Sequence, residues 1–327
     1  MDPPSLQPRL PLELLMIVKE SIPISDLRTH VCFYNTCRAF ASWYGSTGEQ
    51  ADFWRRSCLL AGLTFTGRDS SYKDIAFECI SQDGFCSHPS CGGSQLEWNA
   101  KQVAIAMQCK GGWDPEEAPW HSATWDNESG FPTPKPNRIF AHLAFRKSRR
   151  TGSNKLDDVF LRNDAANIPY DKRALRYHPI AWRSIATFPG LVAMKLSYPG
   201  EAGRVINEAT DYVSMKAKTT PLNVLSVVDS IRRGLDDGLE VSQLCELLDG
   251  CFACVQPPTP VVFVDELKKF QTLRGLWAVS RWDGLEFDGT WEFPEEAGFI
   301  HRFSRLREDT FAREQQEEDI LDHGDFS

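Results

Sequence analysis

The chain has 327 residues, 42% of them hydrophobic, and a formal net charge of −9. That length supports a sizeable core and more than one domain. The acidic balance argues against nucleic acid and anionic membranes as partners, and no apolar run reaches the roughly 18 residues of a spanning helix.

The first apolar stretch carries Glu13, Lys19 and Glu20, which is not the pattern of a secretory signal. A reducing setting, cytoplasmic or nuclear, is expected. The ten cysteines are then core residues or metal ligands rather than disulfides.

Residues 10–22 read as a helix opened by Pro11 and stopped by Pro23. At 100° per residue, Leu10, Leu14, Leu15, Ile17, Val18 and Ile22 form one broad arc, and Leu12 and Met16 lie outside it. Only Glu13 and Glu20 make a polar strip. Such a helix is either buried within a domain or receives a partner on the side its own chain leaves open. Ser25 caps a second helix carrying Leu27, Val31 and Tyr34 inward. A third short helix runs from Cys37 through Trp43 to a break at Gly45 and Gly48. Phe53 and Trp54 open a fourth that ends near Gly62.

The order Leu10-Pro11-x-Glu13-Leu14-Leu15, Val18, Ile22-Pro23, Asp26-Leu27, Cys37-Arg38-x-Phe40 and Phe53-Trp54 resembles an F-box over roughly the first 55 residues, which implies an F-box-like helical unit at 6–62. The Cys-Arg-x-Phe segment arrives about one helical turn later than in that family. The resemblance implies docking on a Skp-family linker of a ubiquitin ligase. It assigns that contact to Leu10, Pro11, Leu14, Leu15, Val18, Ile22, Pro23 and Leu27. The alternative is an interaction protein whose N-terminal helices belong to its own core.

Residues 79–91 read CISQDGFCSHPSC. Cys79, Cys86, His88 and Cys91 make a candidate four-ligand set for a structural zinc, with Gly84, Pro89, Gly92 and Gly93 supplying turns. The competing reading is core cysteines beside a loop histidine, because Cys79 falls on a helix running from Tyr72 to Ile80. Cys251 and Cys254, in CFAC, read as packing at a helix end.

From Gly111 onward the composition turns rich in Pro, Gly and Trp, and residues 126–170 read as a linker or long loop after a Cys/His segment at 63–125. Trp113, Trp120 and Trp125 argue for packing onto a domain. Arg146, Lys147, Arg149 and Arg150 form a basic surface loop, with nuclear import as the second reading.

Residues 171–310 alternate short strands and helices. Strands are expected in LVAMKLSY and DYVSMKAKT, and in LWAVSRW and LEFDGTWEF, the last turning at Asp288-Gly289. Helices are expected after Pro221, in SQLCELLDG and in DELKKFQTLRG. Residues 311–327 are an acidic tail. The segment 177–250 resembles a fungal domain of unknown function through Pro179-Ile180-Ala181-Trp182 and Ala186-Thr187-Phe188-Pro189, which implies a fungal, basidiomycete-type chain and no activity. The fold class is therefore α+β: an N-terminal three-helix F-box-like unit, then a mixed α+β domain with a small, mostly antiparallel sheet.

No phosphate-binding loop, dinucleotide fingerprint, zincin helix or nucleophile elbow is present. His30, His121, His142 and His178 stand near apolar or tryptophan-rich stretches and read as structural. The expected protein is a non-catalytic adaptor that brings a protein substrate to a ligase by raising its effective concentration.

Overall fold

The computed structural model describes residues 11–66, 69–109, 113–116, 133–145, 159–162, 172–197, 204–207, 220–234, 280–292 and 296–305. Six helices come first: α1 (Leu12–Ser21), α2 (Leu27–Thr36), α3 (Arg38–Ser42), α4 (Thr47–Leu60), α5 (Tyr72–Gln82) and α6 (Gly92–Gln108). Two more follow, α7 (Pro179–Arg183) and α8 (Val224–Gly234). Strands β1 (Lys135–Pro136) and β4 (Thr187–Phe188) pair antiparallel, as do β2 (Leu143–Phe145) and β3 (Val159–Leu161). β5 (Ala193–Ser197), β6 (Arg204–Asn207), β7 (Ser280–Glu292) and β8 (Glu296–Arg305) form a sheet in the order β6-β5-β8-β7. Only the β5–β8 pairing is parallel. The α+β class is as expected.

Local chemistry explains the helix ends. Glu13 in the first turn and Lys19 in the last suit the dipole of α1. Its C-cap Ile22 is extended, as a residue before proline tends to be. The cap of α2 is Asp26 rather than Ser25: its carboxylate accepts from the Thr29 amide at 3.1 Å, worth about 1 kcal/mol. Helix α4 starts earlier than the aromatic pair suggests, because the Ser46 amide donates to Glu49 at 2.6 Å and closes a capping box. It ends in a Schellman turn, in which Leu63 N–H reaches the Cys58 carbonyl and Gly62 N–H reaches that of Leu59. Gly62 takes φ +69° there, a conformation that favours glycine.

Two apolar cores share the molecule. The first gathers Leu27, Val31, Tyr44, Trp54, Ile75 and Ile80, with Leu96 of α6 and Ile180 of α7. Tyr44 stacks on Trp54 with ring centroids 5.4 Å apart, and the edges of Phe53 and Phe77 meet Trp54. The second core holds Val103, Ile139, Phe140, Leu143, Leu161, Val228, Trp282 and Phe299. Ile139, Leu143 and Val159 are completely buried, so these parts of the 126–170 segment belong to the core and not to a linker. Trp113 is buried too, whereas Trp120, Trp125 and the basic loop lie outside the described residues.

A buried polar network joins the cores. Gln95 donates to Asn99 at 2.8 Å and to Asn137 at 2.9 Å, and Asn99 donates to Ser184 Oγ at 2.8 Å. Asn137 also donates to the Ile185 carbonyl at 2.8 Å. With its partners satisfied inside, such a network fixes the relative position of α6, α7 and the 133–145 segment.

Other expectations shift. Gly92 and Gly93 open α6, and Gly92 turns the chain at its start with φ +57°. Asp288 and Gly289 lie inside β7, where a register shift between Phe287 and Trp291 takes up the irregularity as a bulge. The strand expected in DYVSMKAKT, the helices expected in SQLCELLDG and DELKKFQTLRG, and Cys251 and Cys254 lie outside the described residues.

Candidate functional site

Two places on the molecule stand apart from ordinary packing. The first is α1, where no residue is buried. Leu12, Leu14, Met16, Ile17 and Val18 are 53, 47, 43, 59 and 47% exposed. Leu15, Lys19 and Ile22, half-buried, share the side that meets the body, and the exposed apolar residues spread over the rest of the circumference. Lys19 ties α1 to the body through the Trp43 carbonyl at 3.0 Å and lies over the Tyr44 ring. Of the residues assigned to docking, Pro11, Leu14, Val18 and Pro23 are exposed, and Leu15 and Ile22 are half-buried. Leu10 lies outside the described residues. Leu27 is corrected: at 1% exposure it anchors α2 in the first core and offers nothing to a partner.

The second place is the loop between α5 and α6. The zinc set read from the sequence is Cys79, Cys86, His88 and Cys91, and the structure brings only Cys86 and Cys91 together, with their sulfurs 2.9 Å apart. Cys79 faces the first core from α5, with Arg183 at 3.9 Å from its sulfur, and burial pushes its thiol up to about 12. His88 has both ring nitrogens engaged: Nε2 donates to the Arg162 carbonyl at 2.8 Å, and Nδ1 accepts from the Ser90 amide at 3.0 Å. His88 has no ring nitrogen left for an ion, and the Cys79 sulfur lies outside the group of converging ligand atoms.

Asp83 and His178 take their places. One ligand atom each from Asp83, Cys86, Cys91 and His178 lies within 4.8 Å of all the others. Asp83 is the C-cap residue of α5 and Cys91 the N-cap residue of α6. Gly92 takes φ +57°, and a Cβ there would come within 2.6 Å of the Cys86 carbonyl, so glycine lets the loop fold back on itself. His178 arrives from far along the chain as the residue before Pro179, the first residue of α7. Its Nε2 donates to the Lys172 carbonyl at 2.8 Å and its Nδ1 faces Asp83 Oδ1 at 3.1 Å.

The electrostatics follow from that geometry. The hydrogen bond from Cys91 lowers the Cys86 thiol to about 4 against the opposing effect of burial, and His178 helps. Cys91 is raised by the same partner and by burial. Burial works against a charge on His178, yet the bonds to Asp83 and Cys86 raise it to about 9. Burial raises Asp83.

A cysteine, a histidine and an aspartate together suggest nucleophilic chemistry, but the ring is wired differently. A catalytic imidazole joins thiol and carboxylate through its two nitrogens. Here Nε2 is held by the Lys172 carbonyl, and Asp83 and Cys86 both meet the ring on its Nδ1 side, so the imidazole does not link thiol to carboxylate through its two nitrogens.

Elsewhere Arg183, 3% exposed, binds Asp69 and Glu78 at 2.7 Å each and lies over the Trp182 ring. It is a structural ion pair. Among the described residues, no helix is long and apolar enough to cross a membrane. No protein-family model, curated protein or solved structure matches the chain.

Proposed function

We propose that the chain is an F-box-like, non-catalytic adaptor of the fungal type, which docks on a Skp-family linker of a cullin-type ubiquitin ligase through α1 and presents a protein substrate on its remaining surface. The observation that carries this reading is the exposure of Leu12, Leu14, Met16, Ile17 and Val18 on a helix with no buried residue. An apolar helix left open by its own chain marks a surface that another molecule covers. The docking set becomes Leu10, Pro11, Leu14, Leu15, Val18, Ile22 and Pro23, without Leu27. Helices α2 to α4 supply the rigid base, since Val31, Tyr44 and Trp54 lock them into the first core.

The test is co-expression of the full chain with a fungal Skp-family linker, followed by size-exclusion chromatography. A one-to-one complex is expected. Leu14→Asp removes it, because a carboxylate cannot be desolvated in an apolar contact without a partner. Co-elution that survives Leu14→Asp, or no complex with the unchanged chain, overturns the adaptor reading.

A further inference from the structure

We infer that Asp83, Cys86, Cys91 and His178 form a structural zinc site that fastens the α5–α6 loop to the start of α7. Three observations carry it.

The first is the donor set. Two sulfurs, an imidazole nitrogen and a carboxylate oxygen are each donors that zinc takes, and the two cysteines and one histidine supply three of the four ligands of a two-cysteine, two-histidine site, with Asp83 in the fourth place. Bond lengths of about 2.0 to 2.3 Å place the ligands of a tetrahedral zinc roughly 3.3 to 3.8 Å from one another. The four atoms here span 2.9 Å between the sulfurs to an outer limit of 4.8 Å.

The second is the orientation of His178. A backbone carbonyl only accepts, so Nε2 is the donor to Lys172 and carries hydrogen. Nδ1 is therefore the nitrogen directed at Asp83 and the sulfurs. A ligating histidine is held in this way, with its far nitrogen donating to a carbonyl or carboxylate that fixes the tautomer.

The third is Asp83 itself. The residue is 1% exposed, and its Oδ2 has no hydrogen-bond partner. A buried carboxylate oxygen without a donor is costly, and a cation removes that cost.

The site has consequences for the whole chain. Asp83 and His178 are 95 positions apart. One ion would close a long loop and join the helical first half to the mixed second half beside the Gln95–Asn99–Asn137 network. Four protein ligands leave no open position, so the role is structural. The site does not depend on the linker contact and stands or falls separately from it.

The experiment uses the unchanged full chain, purified under reducing conditions without chelator. Elemental analysis is expected to give about one zinc per chain. Cysteine alkylation mapped by mass spectrometry then locates the ion. With zinc bound, Cys86 and Cys91 resist alkylation while the exposed Cys32 and Cys37 react. After a chelator, Cys86 reacts as well. The absence of stoichiometric zinc overturns the site. So does alkylation of Cys86 in the zinc-loaded chain, or protection that is released by a reductant and not by a chelator, which would mean a disulfide. In a second arm, Cys86→Ser is expected to lose the zinc and His88→Gln to keep it. Zinc retained by Cys86→Ser also overturns the assignment.

Discussion

Helices α1 and α8 are nearly equal in length, ten and eleven residues, and differ in how their apolar residues are arranged. On α8, Val224, Val227, Val228 and Ile231 lie along one face, and all are buried in the second core. Its polar side carries Asp229, with Arg232 and Arg233 one turn further on. On α1 the apolar residues surround the axis, and the helix has no buried residue. Sorted faces belong to a helix whose burial is completed within the chain. Unsorted apolar surface that stays exposed leaves that burial to another molecule.

A charge placed in each helix sharpens the contrast, and the larger effect belongs to α8. Val228 is 1% exposed and packs among the apolar residues of the second core. Val228→Asp should cost more than about 4 kcal/mol, a large part of the net stability of a typical domain. Circular dichroism melts and soluble yield check this. A variant that folds with an unchanged melting curve would mean α8 is not the core helix described.

The core that receives α8 also carries a pH dependence. His301, beside Trp282, is 3% exposed, and burial lowers its pKa from 6.5 to about 4. The unfolded chain takes up this proton below pH 6.5, and the folded chain only near 4. The stability it contributes is therefore present above pH 6.5 and is lost as pH falls from 6.5 toward 4. Between about pH 7 and pH 5 the loss is on the order of 2 kcal/mol. His30 is lowered as well, chiefly by burial, and adds in the same direction. Urea titrations at the two pH values should show a steeper fall for the unchanged chain than for His301→Leu. Parallel slopes would place His301 in water.

The sequence made some of this legible and not the rest, for physical reasons. The α1 anomaly could be read because amphipathicity is a local pattern, and Pro11 and Pro23 bracket it. The zinc set was half legible. Cys86 and Cys91 sit within one loop, so spacing alone brings them together. His88 looked equally good by spacing, but backbone partners at Ser90 and Arg162 take both its nitrogens. His178 could not be found by spacing, because tertiary packing delivers it from the far end of a long loop. Helix α6 was hidden by Gly92 and Gly93, which read as turn residues although a glycine at a helix start is tolerated where the backbone needs a positive φ. The 137–145 stretch reads as part of a linker because Gly130, Pro132, Pro134 and Pro136 just before it outweigh Ile139, Phe140 and Leu143, residues that pack in the second core.

The smallest effect on stability is expected on α1, and it is the most informative about the comparison. Ile17 is 59% exposed, so a substitution there removes little buried area. Ile17→Asp should change the unfolding free energy of the isolated chain by no more than about 0.5 kcal/mol, the range of surface substitutions. The same variant in Val228 would unfold the protein, although both changes put one carboxylate on a short helix. A loss above about 2 kcal/mol for Ile17→Asp would show that α1 packs against its own chain in solution. The apolar surface would then be consumed internally, and the adaptor reading would lose its main support. A melt that matches the unchanged chain, combined with loss of the linker complex in Leu14→Asp, would separate binding from folding. It would place the function of α1 outside the fold that carries it.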